Sequence, residues 1–137
     1  MDERLRQAVV KRVEQGKLPC HEAHAIADEL GIEPLEVGQA ADEAGVRISR
    51  CQLGLFGYGS KANGTHKIAR PMEQVPPHLE AALRGEADEE GLPCAAMWGI
   101  ADRLGYGRLE VSNAAEGLAL RVSHCQLGCF PRPKKGR

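Results

Sequence analysis

The residues of this sequence best suited to chemistry are its five cysteines, four of which recur at a fixed interval. Cys20 corresponds to Cys94 and Cys51 corresponds to Cys125, each pair separated by the same 74 positions, whereas Cys129 has no counterpart. Cysteine thiolates ligate zinc and iron–sulfur clusters, and paired thiols exchange with disulfides. The pattern therefore makes Cys20, Cys51, Cys94, Cys125 and Cys129 candidate metal ligands.

The spacing of these cysteines does not by itself select one chemistry. The sequence contains no Cys-x-x-Cys, and Cys125 and Cys129 with the neighbouring His124 form only a partial zinc set. Cysteine is also a small apolar residue that is often buried in the reduced proteins of the cytosol. Structural burial of the thiols is thus the alternative to a metal site or a redox switch, and no particular cofactor is identified.

The interval between the cysteines belongs to an internal repeat. Residues 18–56 align with residues 92–130 without a gap, and both copies contain Leu-Pro-Cys near the start and Cys-Gln-Leu-Gly near the end. Gly, Pro and polar residues dominate the sequence between the copies, as is typical of a linker. We therefore predict a first repeat at 1–58, a linker at 59–76, a second repeat at 77–130 and a basic tail at 131–137.

Each repeat carries three stretches with the apolar spacing of an amphipathic helix. The second stretch ends at Gly31 or Gly105, glycines that suit the left-handed backbone at the end of a helix. The third stretch is followed at once by an alternating pattern, which predicts a short strand at 46–49 and another at 120–123.

Three helices, a glycine turn between the last two and a strand directly afterwards resemble a helix-turn-helix protein of the winged-helix type. The resemblance implies a mainly α fold of two tandem three-helix units with short strands, related by internal duplication. It also implies binding to duplex DNA, as in a transcriptional regulator. The match rests on the small residue, the turn glycine and the buried aliphatic of that family's motif, here Ala27, Gly31 and Val37 and again Ala101, Gly105 and Val111.

The resemblance makes the third helix of each repeat a recognition helix with exposed residues near its start. That face carries Gln39 among acidic residues in the first copy, but Arg108, Ser112 and Asn113 in the second. Arg can read guanine and Asn can read adenine, and the cations that follow the third helices suit phosphate contacts, although basic strand ends are often simply solvated. The candidate DNA-binding residues are Gln39, Arg47, Arg50, Arg108, Ser112, Asn113, Arg121, His124, Lys134 and Lys135.

The resemblance also bears on the cysteines. In a winged-helix unit the residue before the second helix lies on a strand that pairs with the strand after the third helix. This implies that Cys20 approaches Cys51 and that Cys94 approaches Cys125. Two such pairs would ligate one metal ion or iron–sulfur cluster between the copies, or act as two redox switches. Cys129, close to the basic tail, is the candidate reactive thiol.

The Cys-Gln-Leu-Gly-x-Phe segments occupy the place of the hairpin wing, yet no return strand follows either of them. Without a wing to cover them, Leu53, Phe56, Leu127 and Phe130 would be exposed apolar residues. Such a surface favours an alternative function, a non-enzymatic adaptor that binds another protein through these segments.

Composition limits the remaining function classes. The 137 residues carry a formal net charge of -1, which argues against a strongly nucleic-acid-coating protein, and 4% aromatic residues offer little for stacking single-stranded bases. No catalytic motif and no signal or membrane-spanning stretch stands out, so we expect a non-enzymatic, cytoplasmic protein. The leading interpretation is a DNA-binding regulator tuned by redox or metal state through its cysteines. The adaptor and a cysteine-ligated metal or iron–sulfur sensor are the alternatives.

Overall fold

The computed structural model describes residues 2–60 and 62–131, and shows a mainly helical protein with one small sheet. Lys134 and Lys135 of the basic tail lie outside the described residues. Corresponding helices of the two halves have equal lengths and begin 74 positions apart. The elements are α1 (Glu3–Arg12), β1 (Lys17–Pro19), α2 (Cys20–Leu30), α3 (Pro34–Glu43), β2 (Arg47–Ser49), α4 (Pro77–Glu86), α5 (Cys94–Leu104) and α6 (Arg108–Gly117).

Local sequence signals fix the helix ends. The Asp2 carboxylate accepts hydrogen bonds from the first backbone N–H groups of α1, as an N-cap should. Gly31 and Gly105 end α2 and α5 in the left-handed conformation, with φ of 66° and 79°. The predicted glycine stops are therefore confirmed, because the last N–H of each helix can turn back to an unpaired carbonyl only with this backbone.

The sheet joins the segment before α2 to the segment after α3. β1 and β2 pair in parallel with Leu18 opposite Ile48, and in the second half Leu92 forms an isolated parallel bridge with Val122. The pairing expected around the cysteines is confirmed, although the second half builds only a bridge where a strand was predicted. In both halves the pairing brings the start of a helix beside the chain that leads into Cys51 or Cys125.

Two hydrophobic cores hold the molecule together, and each contains residues from both halves. The core of α4, α5 and α6 also includes Cys51 and Leu53, with Leu55 and Phe56 packed against it. The core of α1, α2 and α3 includes Leu127, with Trp98, Cys125 and Cys129 packed against it. We call residues 51–56 and 125–130 the exchanged loops, because each one fills the core of the opposite half.

The exchanged loops correct the expectation of an exposed apolar surface. Leu53 and Leu127 are only 1% and 3% exposed, and Phe56 and Phe130 are half-buried, meeting edge to face with their ring centres 6.4 Å apart. No wing is needed to cover these side chains because the opposite core covers them. The adaptor hypothesis thereby loses the surface on which it was based.

The segment between the halves is partly anchored. The backbone N–H groups of Ile68 and Ala69 donate to the carbonyl of Gly54, at 2.8 and 3.0 Å. The N–H of Arg70 donates to the side-chain oxygen of Asn113 at 2.8 Å, and the N–H of Met72 donates to the carbonyl of Asn113 at 2.9 Å. Residues 68–72 of the predicted linker are therefore held against the first exchanged loop and α6, and we call them the strap.

Helices that could cross a membrane are not found among the described residues, since none of them combines the required length with an apolar sequence.

Candidate functional site: a thiol cluster between the halves

Four cysteines lie near one another between the two halves. Cys20 and Cys94 are the first residues of α2 and α5, and Cys51 and Cys125 are the first residues of the two loops. In the second half, the N–H of Cys94 donates to the carbonyl of His124 at 2.8 Å, which places Cys94 next to Cys125. We call Cys20, Cys51, Cys94 and Cys125 the thiol cluster.

Each thiol of the cluster lies within electrostatic reach of the other three. Cys20 interacts with Cys51, Cys94 and Cys125, and Cys94 and Cys51 interact with each other and with Cys125. All the thiols are free, and three of them are 6% exposed while Cys125 is half-buried. Of the two arrangements that the sequence left open, one shared site or two separate pairs, the structure has all four thiols near one another.

Backbone amides point at all four sulfurs. Cys20 accepts from the N–H of Gln52, and Cys94 accepts from the backbone of Gln126 and from its side-chain amide at 3.3 Å. Each loop cysteine accepts from the three residues at positions two to four after it, including Leu127 N–H to the Cys125 sulfur at 3.3 Å. Hydrogen bonds from N–H donors favour a charged thiolate over a neutral thiol.

Burial and hydrogen bonding pull the pKa values of the thiols apart. Burial raises the pKa of Cys20 to about 12 and that of Cys94 to about 11, and it also raises the pKa of Cys51. The pKa of Cys125 falls to about 6, chiefly because the Cys129 thiol donates a hydrogen bond to it. Cys129, which the sequence singled out as the reactive thiol, therefore stabilises the thiolate of Cys125.

As the side chains stand, no three His, Cys, Asp or Glu residues in the described ranges 2–60 and 62–131 are arranged to hold a metal ion.

Beside the thiol cluster, two corresponding residues of the halves stack on each other. The rings of His24 and Trp98, 74 positions apart, lie 4.2 Å centre to centre. The Arg108 guanidinium lies over the Trp98 ring at 3.5 Å and reaches the side-chain oxygen of Gln52 at 3.4 Å. The stack with Trp98 holds His24 half-buried at the contact between the halves.

His24 should make stability depend on pH. Burial, followed by the charge of Arg108, lowers its pKa to about 4, whereas Asp28 acts in the opposite direction. The unfolded chain takes up the proton near pH 6.5 and the folded chain resists it, so stability is complete above about pH 6.5 and falls toward pH 4.

We expect His24→Phe to remove about 1–2 kcal/mol of this acid-dependent loss, after allowance for partial exposure of the ring. The measurement is urea unfolding followed by Trp98 fluorescence, at neutral pH and at about pH 4.5. Carboxylates contribute to the loss of stability in the wild type and in the variant alike, so the test of His24 is the difference between the two losses. An identical loss in the variant and the wild type would contradict the prediction.

The predicted DNA-binding residues differ in exposure. Ser112 is 1% exposed and its hydroxyl has no hydrogen-bond partner among residues 2–60 and 62–131, so the expectation that it is exposed is wrong. Arg108 and Asn113 are half-buried in contacts with Trp98 and with the strap. Of the predicted residues that the structure describes, those that face solvent are Gln39, Arg47, Arg50, Arg121 and His124.

Some residues important to the site were missed by the sequence interpretation. Gln52 and Gln126 hydrogen-bond to the sulfurs of Cys20 and Cys94, and their identity in the two halves was a visible signal. The Tyr58 hydroxyl donates to the carbonyl of Cys51 at 2.7 Å, and burial raises its pKa. Tyr58 has no such signal, because it follows the last residue that the two halves share.

Comparison with known proteins finds no matching family model, no matching curated protein and no matching solved structure.

Proposed function

We propose that this is a metal-binding protein in which Cys20, Cys51, Cys94 and Cys125 ligate one centre, a zinc ion or an iron–sulfur cluster. The observation that carries the proposal is that these four thiols, two from each half, lie within electrostatic reach of one another. Four cysteines are the ligand set of structural zinc sites and of common iron–sulfur clusters. We further propose that the halves arose by tandem duplication, which would explain the matched ligand pairs.

The surroundings of the sulfurs suit ligation better than simple burial. A buried apolar thiol needs no donors, yet all four sulfurs accept N–H groups. Burial alone opposes the thiolate of Cys20, Cys51 and Cys94, and a bound cation reverses that effect by taking the place of the protons. As the side chains stand, no three ligands in the described part of the chain are arranged to hold a metal ion, so binding includes a reorientation of the thiols into ligating positions. It also releases the protons of the thiols.

The fifth cysteine lies outside the proposed ligand set. Cys129 aligns with Leu55 of the other exchanged loop, so that loop has no thiol at the corresponding position. Its hydrogen bond to Cys125 supports that ligand without adding another one. This difference between the loops supplies a matched control.

The test is the metal content of protein purified without oxygen, measured by elemental analysis, sulfide assay and visible absorption. We expect about one zinc, or iron with sulfide, per chain in the wild type and in Cys129→Leu. Cys94→Ser and Cys51→Ser should lose at least about tenfold in metal affinity. Retention of the metal by both serine variants, or a metal-free wild type, would overturn the proposal. Chelation of the wild type, followed by absorption, gives the same answer if a variant fails to fold.

Duplex-DNA binding is a second candidate, favoured by one observation. Arg47, Arg50, Arg121 and His124 all face solvent, where they are available to phosphates. The side chains expected to read bases in the second half are instead occupied within the protein. Binding of this kind would depend steeply on salt and only weakly on sequence.

A further inference from the structure

A cleft of about 520 Å³ opens beside β1 and β2, on the first half of the molecule. Its lining includes Glu14, Lys17, Ser49, Arg50 and Tyr58. The volume falls in the range of small-molecule sites, and the lining side chains are mostly polar. We propose that this cleft binds a small molecule carrying carboxylate or phosphate groups. This proposal is independent of the metal function, because none of the four cysteines of the thiol cluster lines the cleft.

The charges of the cleft favour an anion. The lining of the cleft carries two cations, Lys17 and Arg50, and one carboxylate, Glu14. Neither cation forms an ion pair with any residue in the described part of the chain, unlike Arg12 or Lys67 elsewhere in the molecule. An unpaired guanidinium and an unpaired ammonium in the lining of one cleft are groups that bind carboxylate and phosphate.

The walls of the cleft are held by backbone hydrogen bonds. Glu14 and Lys17 exchange two bonds, at 2.7 and 3.0 Å, and the N–H of Arg50 donates to the carbonyl of Gly57 at 3.2 Å. Gly57 itself tolerates no side chain, since an added Cβ would lie 2.5 Å from the Arg50 nitrogen. A cavity with fixed walls loses little entropy when a ligand enters it.

In the described part of the chain three residues other than glycine have a positive φ, and two of them line the cleft, the third being Ala119. Gln15 and Arg50, which both line it, have φ of 52° and 50°, a left-handed conformation that costs a residue other than glycine about 1 kcal/mol. Glycine would fit either position without this cost. The backbone strain at position 50 is therefore the cost of having an arginine, with its positive charge, at this position. The corresponding residue of the second half, His124, is not left-handed.

The strain makes Arg50→Gly an informative variant. Glycine relieves the backbone while removing the cation, so the melting temperature should stay the same or rise. Binding of inorganic phosphate or citrate should weaken at least about tenfold, which corresponds to the loss of one charge-assisted contact. Arg47→Ala is the matched control, because Arg47 is an exposed cation of β2 that does not line the cleft.

The experiment is isothermal titration calorimetry of the full chain with phosphate, citrate and a short DNA duplex at two salt concentrations. We expect the wild type and Arg47→Ala to bind a small anion with a Kd near or below about 1 mM, and Arg50→Gly to lose it. Three results would overturn the proposal. These are no small-anion binding, equal loss in both variants, and binding of the duplex alone with a steep salt dependence.

Discussion

Replacing Gly38 with alanine should lower the free energy of unfolding by about 3 kcal/mol or more, although it adds only a methyl group. A Cβ at this position of α3 would overlap the carbonyl oxygen of Leu127, in the exchanged loop that fills the first core. The neighbouring atom is backbone and cannot rotate away. The loop would therefore have to leave its place, and Leu127 would leave the core with it.

The matched control for this prediction is Gly99→Ala. Gly99 lies in α5, where an added Cβ would meet nothing within 4 Å, so alanine should stabilise the helix by about 0.5–1 kcal/mol. Urea unfolding monitored by circular dichroism measures both variants. If Gly38→Ala is as stable as the wild type, the contact between α3 and the exchanged loop is not as described.

Leu53→Ala should destabilise the protein by about 3 kcal/mol, because it leaves a cavity in the core of the second half. Leu35→Ala, at a leucine that is 47% exposed, should cost less than about 1 kcal/mol. Both values come from denaturant unfolding of the full chain.

The same experiment tests whether the halves unfold together. Because each core contains residues from both halves, circular dichroism and Trp98 fluorescence should report one shared transition, shifted as a whole by Leu53→Ala. Two separate transitions, or a shift seen by one probe alone, would show that the halves are independent and would contradict this prediction.

The sequence alone was sufficient to predict the helices and the ends of two of them. Apolar spacing predicted the helices, and Gly31 and Gly105 predicted where two of them end. These features depend on residues within a few positions of one another, so periodicity and capping rules apply directly. The pairing of the segment before α2 with the segment after α3 was also expected, because the resemblance to a winged-helix unit implied it, whereas its parallel direction and the register of Leu18 opposite Ile48 were not predicted.

The exchange of the loops was not predictable in the same way. The apolar residues of the Cys-Gln-Leu-Gly-x-Phe segments show that something must cover them, but no local pattern says which core does so. The same lack of a local signal explains why Ser112 was wrongly expected to be exposed. Its counterpart Gly38 lies against the opposite loop, and only the small size of both residues hinted that this helix face is buried. For the same reason, the sequence could not decide between one site shared by the four thiols and two separate pairs.

The exchanged loops also determine what the linker contributes. A chain that ended after the first half would carry residues 51–56 with no second core to receive them, and its own core would lack Leu127. Two such chains could complete each other only by meeting in solution, as the subunits of a symmetric dimer do. Covalent connection replaces that encounter with an intramolecular one, at an effective concentration of about millimolar. Assembly of the molecule is therefore insensitive to how much of the protein the cell makes.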